Sequence, residues 1–184
     1  MKSFIINSLN IPNLLTISRL LLVPFFVGLV VYEKFYWALV VFIIAGLTDA
    51  LDGFIAKRFN LVTEFGRSMD PLADKFLLIS AFLVLTIKGW IPLFLCILVI
   101  LRDMLIVTGY MLLRSGGRKV TIGPSIPGKI TTALQILTVI GALVLKGLMD
   151  TAFYVVVGLT TLFTVYSGVD YALKGLRVQL KNQG

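Results

Sequence analysis

Residues 48–75 read TDALDGFIAKRFNLVTEFGRSMDPLADK, and they separate two long apolar runs, YWALVVFIIAGL before and FLLISAFLVLTI after. Runs of this length with so few charges predict helices in a membrane, and the break between them predicts a helical hairpin. The stretch carries Asp49, Asp52, Asp70 and Asp74. On a helix, Asp49 and Asp52 are three apart and share a face, with Gly53 and Ala56 on that same face. Asp70 and Asp74 are four apart and share a face of the following helix, with Gly66 one turn earlier. Small residues beside the acids leave room for a ligand or a close backbone.

The rest of the chain agrees with a membrane setting. Of 184 residues, 58% are hydrophobic and only 14% charged, with a mean hydropathy of +0.99. A soluble domain has about a quarter of its residues charged. The expected fold is all-α: a single polytopic membrane domain, residues 1–184, with a short amphipathic N-terminal segment (MKSFIINSLN) and six transmembrane helices. The helices are expected at about Asn13–Tyr32, Phe35–Arg58, Gly66–Ile87, Ile91–Leu113, Pro127–Lys146 and Thr151–Leu173, with breaks at Gly, Pro or charge. The N-terminal apolar run holds Arg19 and Pro24 and shows no small-residue cleavage site, so it is read as retained.

The net charge of +8 is read as orientation, not nucleic-acid binding. Lys2, Lys57, Arg58, Arg67, Arg114, Arg118, Lys119, Lys174, Arg177 and Lys181 fall on one side, against Lys34, Lys88 and Lys146 on the other. The positive-inside rule then puts both termini in the cytoplasm, with further attraction to anionic membrane lipids. Histidine is absent, which removes His bases and His-based zinc sites, and the lone Cys96 reads as apolar packing. Arg19, Lys75, Arg102, Asp103, Lys129 and Asp170 fall within the expected spans, where a charge costs roughly 2.5–3.5 kcal/mol and marks a functional candidate.

Helix rise places the two aspartate pairs at similar depth, roughly 6–12 Å below the cytoplasmic surface. Four converging carboxylates cannot all stay ionised without cations. An all-oxygen set suits Mg²⁺, Mn²⁺ or Ca²⁺, and paired metals serve phosphoryl chemistry. Two other readings compete. The acids could cap helix ends separately, or the protein could be a cation- or proton-coupled transporter, a reading that Asp170 favours.

At these residues the sequence resembles the CDP-alcohol phosphatidyltransferase family, whose motif is D-x-x-D-G-x-x-A-R followed by G-x-x-x-D-x-x-x-D. Here the residues are Asp49, Asp52, Gly53, Ala56 and Lys57, then Gly66, Asp70 and Asp74. Lys57 stands where the motif has arginine, and Arg58 follows it. The resemblance extends to NIPNLLTISRLLLVP and PGKITTALQ. It implies a six-helix protein, usually a homodimer, with its active site facing the cytoplasm. Phosphatidyl would pass from CDP-diacylglycerol to an alcohol, releasing CMP. Asp49, Asp52, Asp70 and Asp74 would hold two Mg²⁺ ions, with Mn²⁺ able to substitute. Asp74 would also be the general base. Gly53, Ala56, Lys57, Arg58 and Gly66 would line the CDP site.

The motif does not name the acceptor. Glycerol 3-phosphate requires cations, for which Arg102, Lys129 and Arg118 are the candidates, although Arg102 has Asp103 beside it. NIPNLLTISRLLLVP and MDPLADK resemble the phosphatidylglycerophosphate synthase branch. AGLTDALDGFIAK with LRDMLIV also resembles the cardiolipin synthase branch, whose acceptor is phosphatidylglycerol, and a second arginine expected near Tyr110 is missing.

Overall fold

The computed structural model describes the backbone of residues 11–58, 64–115, 126–148 and 150–180, and the side chains of 21–48, 75–108, 126–148 and 150–174. The N-terminal segment 1–10 lies outside the described residues. Six α-helices follow one another: α1 (Ile11–Val31), α2 (Phe35–Arg58), α3 (Glu64–Ile87), α4 (Leu93–Ser115), α5 (Ile126–Leu145) and α6 (Thr151–Leu180). Among the described residues there is no strand.

Only α2 has the expected bounds at both ends; α1, α3 and α5 differ by one or two residues at an end, and the departures of α4 and α6 have a physical reason. The fourth begins at Leu93, not Ile91. Proline disfavours the α conformation of the residue before it, so Pro92 starts the helix: its carbonyl accepts from Leu95 N (3.1 Å) and Cys96 N (3.3 Å). The sixth runs seven residues past Leu173. Lys174 and Arg177 end an apolar run, but they are good helix formers and do not end a helix.

The chain divides into two compact units, Met1–Lys88 and Gly89–Gly184. In the first, α1 packs on both α2 and α3. The core comprises Phe26 and Val30 of α1, Ala38, Phe42 and Ala45 of α2, and Leu77, Leu78, Ala81, Phe82 and Leu85 of α3. The Phe26 and Phe42 rings meet at 5.8 Å. The turn after α1 is a Schellman motif: Lys34 N donates to Leu29 O (2.8 Å) and Glu33 N to Val30 O (3.1 Å), with Glu33 at a φ of 60°.

In the second unit, α6 packs on α4 and α5. Thr131 Oγ1 donates to Phe163 O (2.9 Å), and the Thr138 and Thr160 hydroxyls share a hydrogen bond of 2.8 Å. These bonds fix α5 and α6 as antiparallel neighbours. The turn between them is held twice. Gly147 has a φ of +79°, and a Cβ there would lie 2.4 Å from Trp90 Cδ1. Asp150 then caps α6, its Oδ1 accepting from Phe153 N at 2.8 Å.

Helices α5 (Ile126–Leu145) and the Thr151–Lys174 part of α6 are long and apolar enough to cross a membrane. Leu21–Val31, Phe35–Thr48 and Lys75–Ile87 are shorter described apolar stretches. Large apolar side chains stand exposed on every helix, among them Leu21, Trp37, Leu83, Leu101, Leu137 and Leu162. Apolar exposure on this scale is far beyond the patches a monomeric soluble protein shows, and hydrocarbon is the solvent that suits it.

Candidate active site

The aspartates continue a pattern that the first unit's core begins. Along α2 the buried residues Ala38, Phe42 and Ala45 recur at spacings of four and three. Continuing that alternation along the same helix reaches Asp49, Asp52 and Ala56. Along α3 the inward residues include Leu77, Leu78 and Ala81. Counting back by threes and fours reaches Asp74 and then Asp70. Both pairs therefore stand in register with the face that each helix presents to the core, at the ends nearest the 59–63 connection. The side chains of Asp49, Asp52, Gly53, Ala56, Lys57, Arg58, Gly66, Asp70 and Asp74 lie outside the described residues, as does Arg118. Among the described residues no cluster of acids, cysteines or histidines forms a metal site. Four aspartate carboxylates would offer oxygen donors only, the kind a hard divalent cation takes.

In the second unit the seam between helices changes character along its length. On α6 the buried residues run Phe153, Val157, Thr160, Thr164, Ser167. On α5 they run Gly128, Thr131, Gln135, Thr138, then Val139, Ala142 and Leu143. Because the helices are antiparallel, the hydroxyl-rich halves coincide, as do the apolar halves. Three of these hydroxyls also lie within hydrogen-bond distance of the carbonyl one turn back, Thr131 of Pro127 O, Thr138 of Leu134 O and Thr160 of Val156 O, so each single proton is shared between that carbonyl and the partner across the seam. Gln135 is fully buried, and neither end of its amide has a partner among the described residues.

At the polar end of this seam sits Arg102 of α4, only 6% exposed. Its Nη1 donates to Asp103 Oδ1 at 2.7 Å. Its Nε and Nη2 both donate to Ser167 Oγ, at 3.3 and 3.1 Å. The Tyr171 ring lies 5.8 Å from its Cζ. Since Thr131 is level with Phe163, Ser167 and Arg102 are level with the first turn of α5, where Lys129 stands exposed. Asp170 pairs with Lys174 one turn along α6, at 2.7 Å. The feature that favoured a transporter is thus an i,i+4 ion pair, which leaves that reading without its one argument.

Ser167 and Tyr171 were not singled out from the sequence. Their trace was present: Thr160, Thr164, Ser167 and Tyr171 recur every three or four residues in an otherwise apolar run. Which neighbouring cation they meet depends on helix rotation, which spacing alone does not give.

The sequence profile of the CDP-alcohol phosphatidyltransferase family matches residues 9–166, across both units. A probable phosphatidylglycerophosphate synthase of Mycobacterium tuberculosis is 34% identical over 178 residues, covering 91% of this chain and 82% of that protein. The CDP-diacylglycerol–glycerol-3-phosphate 3-phosphatidyltransferase of Bacillus subtilis is 35% identical over 190 residues, covering 90% of this chain and 94% of that one. A cardiolipin synthase (CMP-forming)/mitochondrial hydrolase fusion protein of Schizosaccharomyces pombe is 33% identical over 189 residues, covering 91% of this chain and 31% of that one.

Proposed function

The chain belongs to the CDP-alcohol phosphatidyltransferase family, and from that premise we propose that it transfers phosphatidyl from CDP-diacylglycerol to glycerol 3-phosphate, giving phosphatidylglycerophosphate and CMP. The observation that carries this reading is the register of Asp49, Asp52, Asp70 and Asp74, which continues the inward stripes of α2 and α3. The protein works as one domain spanning residues 1–184, with six membrane-crossing helices, both termini in the cytoplasm and the site on that side. We further propose that it is a homodimer, as the family resemblance implies.

Enzymes of this family use a divalent metal. Here Asp49, Asp52, Asp70 and Asp74 would hold two Mg²⁺ ions, with Mn²⁺ able to substitute. When bound, the metal neutralises the diphosphate and the charge that CMP carries away. The chain's own residues do the rest. Gly53, Ala56 and Gly66 give the CDP moiety room, and Lys57 or Arg58 meets its phosphate. Asp74 takes the proton from the acceptor hydroxyl, which is a weak nucleophile without a base. The hydroxyl oxygen bonds to the phosphorus of the phosphatidyl group, the bond to the bridging oxygen breaks, and CMP leaves with the electron pair. Arg102, Lys129 and Arg118 bind the acceptor's phosphate.

Phosphatidylglycerol as acceptor, giving cardiolipin, is the second reading. The Arg102–Asp103 ion pair favours it, because it reduces the net charge offered to a dianion. The deciding experiment supplies purified protein with CDP-diacylglycerol, Mg²⁺ and each acceptor in turn, and follows CMP release and the lipid formed. CMP release dependent on glycerol 3-phosphate is the expected result. Conversion of phosphatidylglycerol alone would establish the second reading instead.

A further inference from the structure

Asp103 is the residue next to Arg102 on α4, so the charge of Arg102 is already compensated within its own helix. Neutralisation therefore does not account for what α6 contributes. The Ser167 hydroxyl takes two N–H groups from one edge of the guanidinium, which fixes the plane of the group and not merely its position. Tyr171, one turn further along the same face, lies against the cation at 5.8 Å and also 6.0 Å from Lys174 Nζ. The stem of Arg102 runs beside Gly168, where a Cβ would stand 3.9 Å from Arg102 Cγ. A guanidinium has five N–H groups. Nε, Nη1 and Nη2 each use one here, so one remains on Nη1 and one on Nη2. These two N–H groups are the donors that Arg102 keeps for a further anion.

We propose that Ser167 and Tyr171 of α6 are positioning residues that hold the Arg102 guanidinium in the orientation required to bind the acceptor's phosphate. The inference rests on the reading of Arg102 as an acceptor-binding residue. It adds that α6, which carries none of the motif aspartates, sets acceptor affinity. An arginine held in advance loses less conformational freedom on binding, and that gain is lost when the hydroxyl is removed.

The test uses full-length protein in detergent with CDP-diacylglycerol, Mg²⁺ and varied glycerol 3-phosphate. Arg102→Ala is expected to raise the KM for glycerol 3-phosphate about tenfold or more. Ser167→Ala is expected to raise it about 3- to 10-fold, with the effect confined to that constant. Ser167→Thr, which keeps the hydroxyl, should bring it back to within about twofold of wild type, and Tyr171→Leu should raise it about 2- to 5-fold. Thermal midpoints are read in parallel, because a merely structural role would lower the midpoint without a selective change in acceptor KM. If Arg102→Ala raises the acceptor KM and Ser167→Ala does not, the positioning role is overturned and the acceptor reading stands. If Arg102→Ala leaves that KM unchanged, or if wild-type protein ignores glycerol 3-phosphate, both are overturned together.

Discussion

The two units place polar residues in register with an apolar core in opposite ways. In the first, the inward stripes of α2 and α3 pass from Phe42, Ala45, Leu78 and Ala81 to positions held by Asp49, Asp52, Asp74 and Asp70. In the second, the stripes of α5 and α6 pass from Ala142 and Val157 to Thr138, Thr131, Thr160, Thr164 and Ser167. Hydroxyls in a helix can bond the carbonyl one turn back and need nothing from outside. Carboxylates have no such recourse, because they only accept, and four together repel. Four aspartates brought together on the first unit would therefore need cations from outside, whereas Thr131, Thr138 and Thr160 of the second find carbonyls within their own helices. The first has the composition of a site for charged ligands, and the described part of the second that of a scaffold that holds Arg102.

This contrast breaks most readily in the first unit. Asp52→Asn or Asp70→Asn is expected to lower turnover by about a thousandfold or more, as is EDTA, with Mg²⁺ restoring the wild type. The same variants should keep or gain thermal stability, since each removes a charge from a crowded set. Asp74→Asn should lose turnover while retaining CDP-diacylglycerol binding, measured by equilibrium titration. Full activity in chelator would show that these carboxylates do not constitute a metal site.

The opposite behaviour is expected in the second unit. Gly147→Ala requires a side chain at a φ of +79° and against Trp90, and should cost about 2–3 kcal/mol of stability. The loss is read as a lower thermal midpoint, with the KM for CDP-diacylglycerol unchanged in the protein that remains folded. A comparable midpoint to wild type would mean that the Trp90 ring moves aside without cost. The smallest effect belongs to Asp150→Ala, which removes the cap on α6 and should cost about 1 kcal/mol.

Much of this was legible in the sequence, for reasons that differ between residues. The helices were, because long apolar runs alternate with breaks that carry Gly, Pro or charge. The bounds of α2 were read as found, Phe35–Arg58. The start of α4 was misplaced by overlooking what Pro92 does to Ile91. The end of α6 was misplaced by treating the end of apolar sequence as the end of the helix. The aspartates stand out because their spacing of three and four is itself the signal, and their side chains lie outside the described residues. Arg102 was legible as a charge within an expected span with Asp103 beside it, and it is Asp103 that it pairs with. Ser167 was not, since the hydroxyl becomes informative only once α6 is known to turn it toward α4.

The length of α6 has a consequence for how the protein sits in its surroundings. Its thirty residues span about 45 Å, whereas a bilayer's hydrocarbon layer is about 30 Å thick. Counted from the Asp150 cap, about 30 Å of helix ends near Asp170, where Tyr171 and Lys174 begin the polar continuation. The apolar part of the helix thus has the length of one bilayer thickness, and Arg102 is fastened to it at Ser167. A thinner or thicker membrane must tilt the helix or deform around it, and either change would reach the arginine. Acceptor affinity measured in vesicles of graded acyl-chain length should therefore pass through an optimum, and a flat profile would show that α6 and the lipid adjust without disturbing the site. An enzyme built in this way would sense the thickness of the membrane to which it contributes lipid.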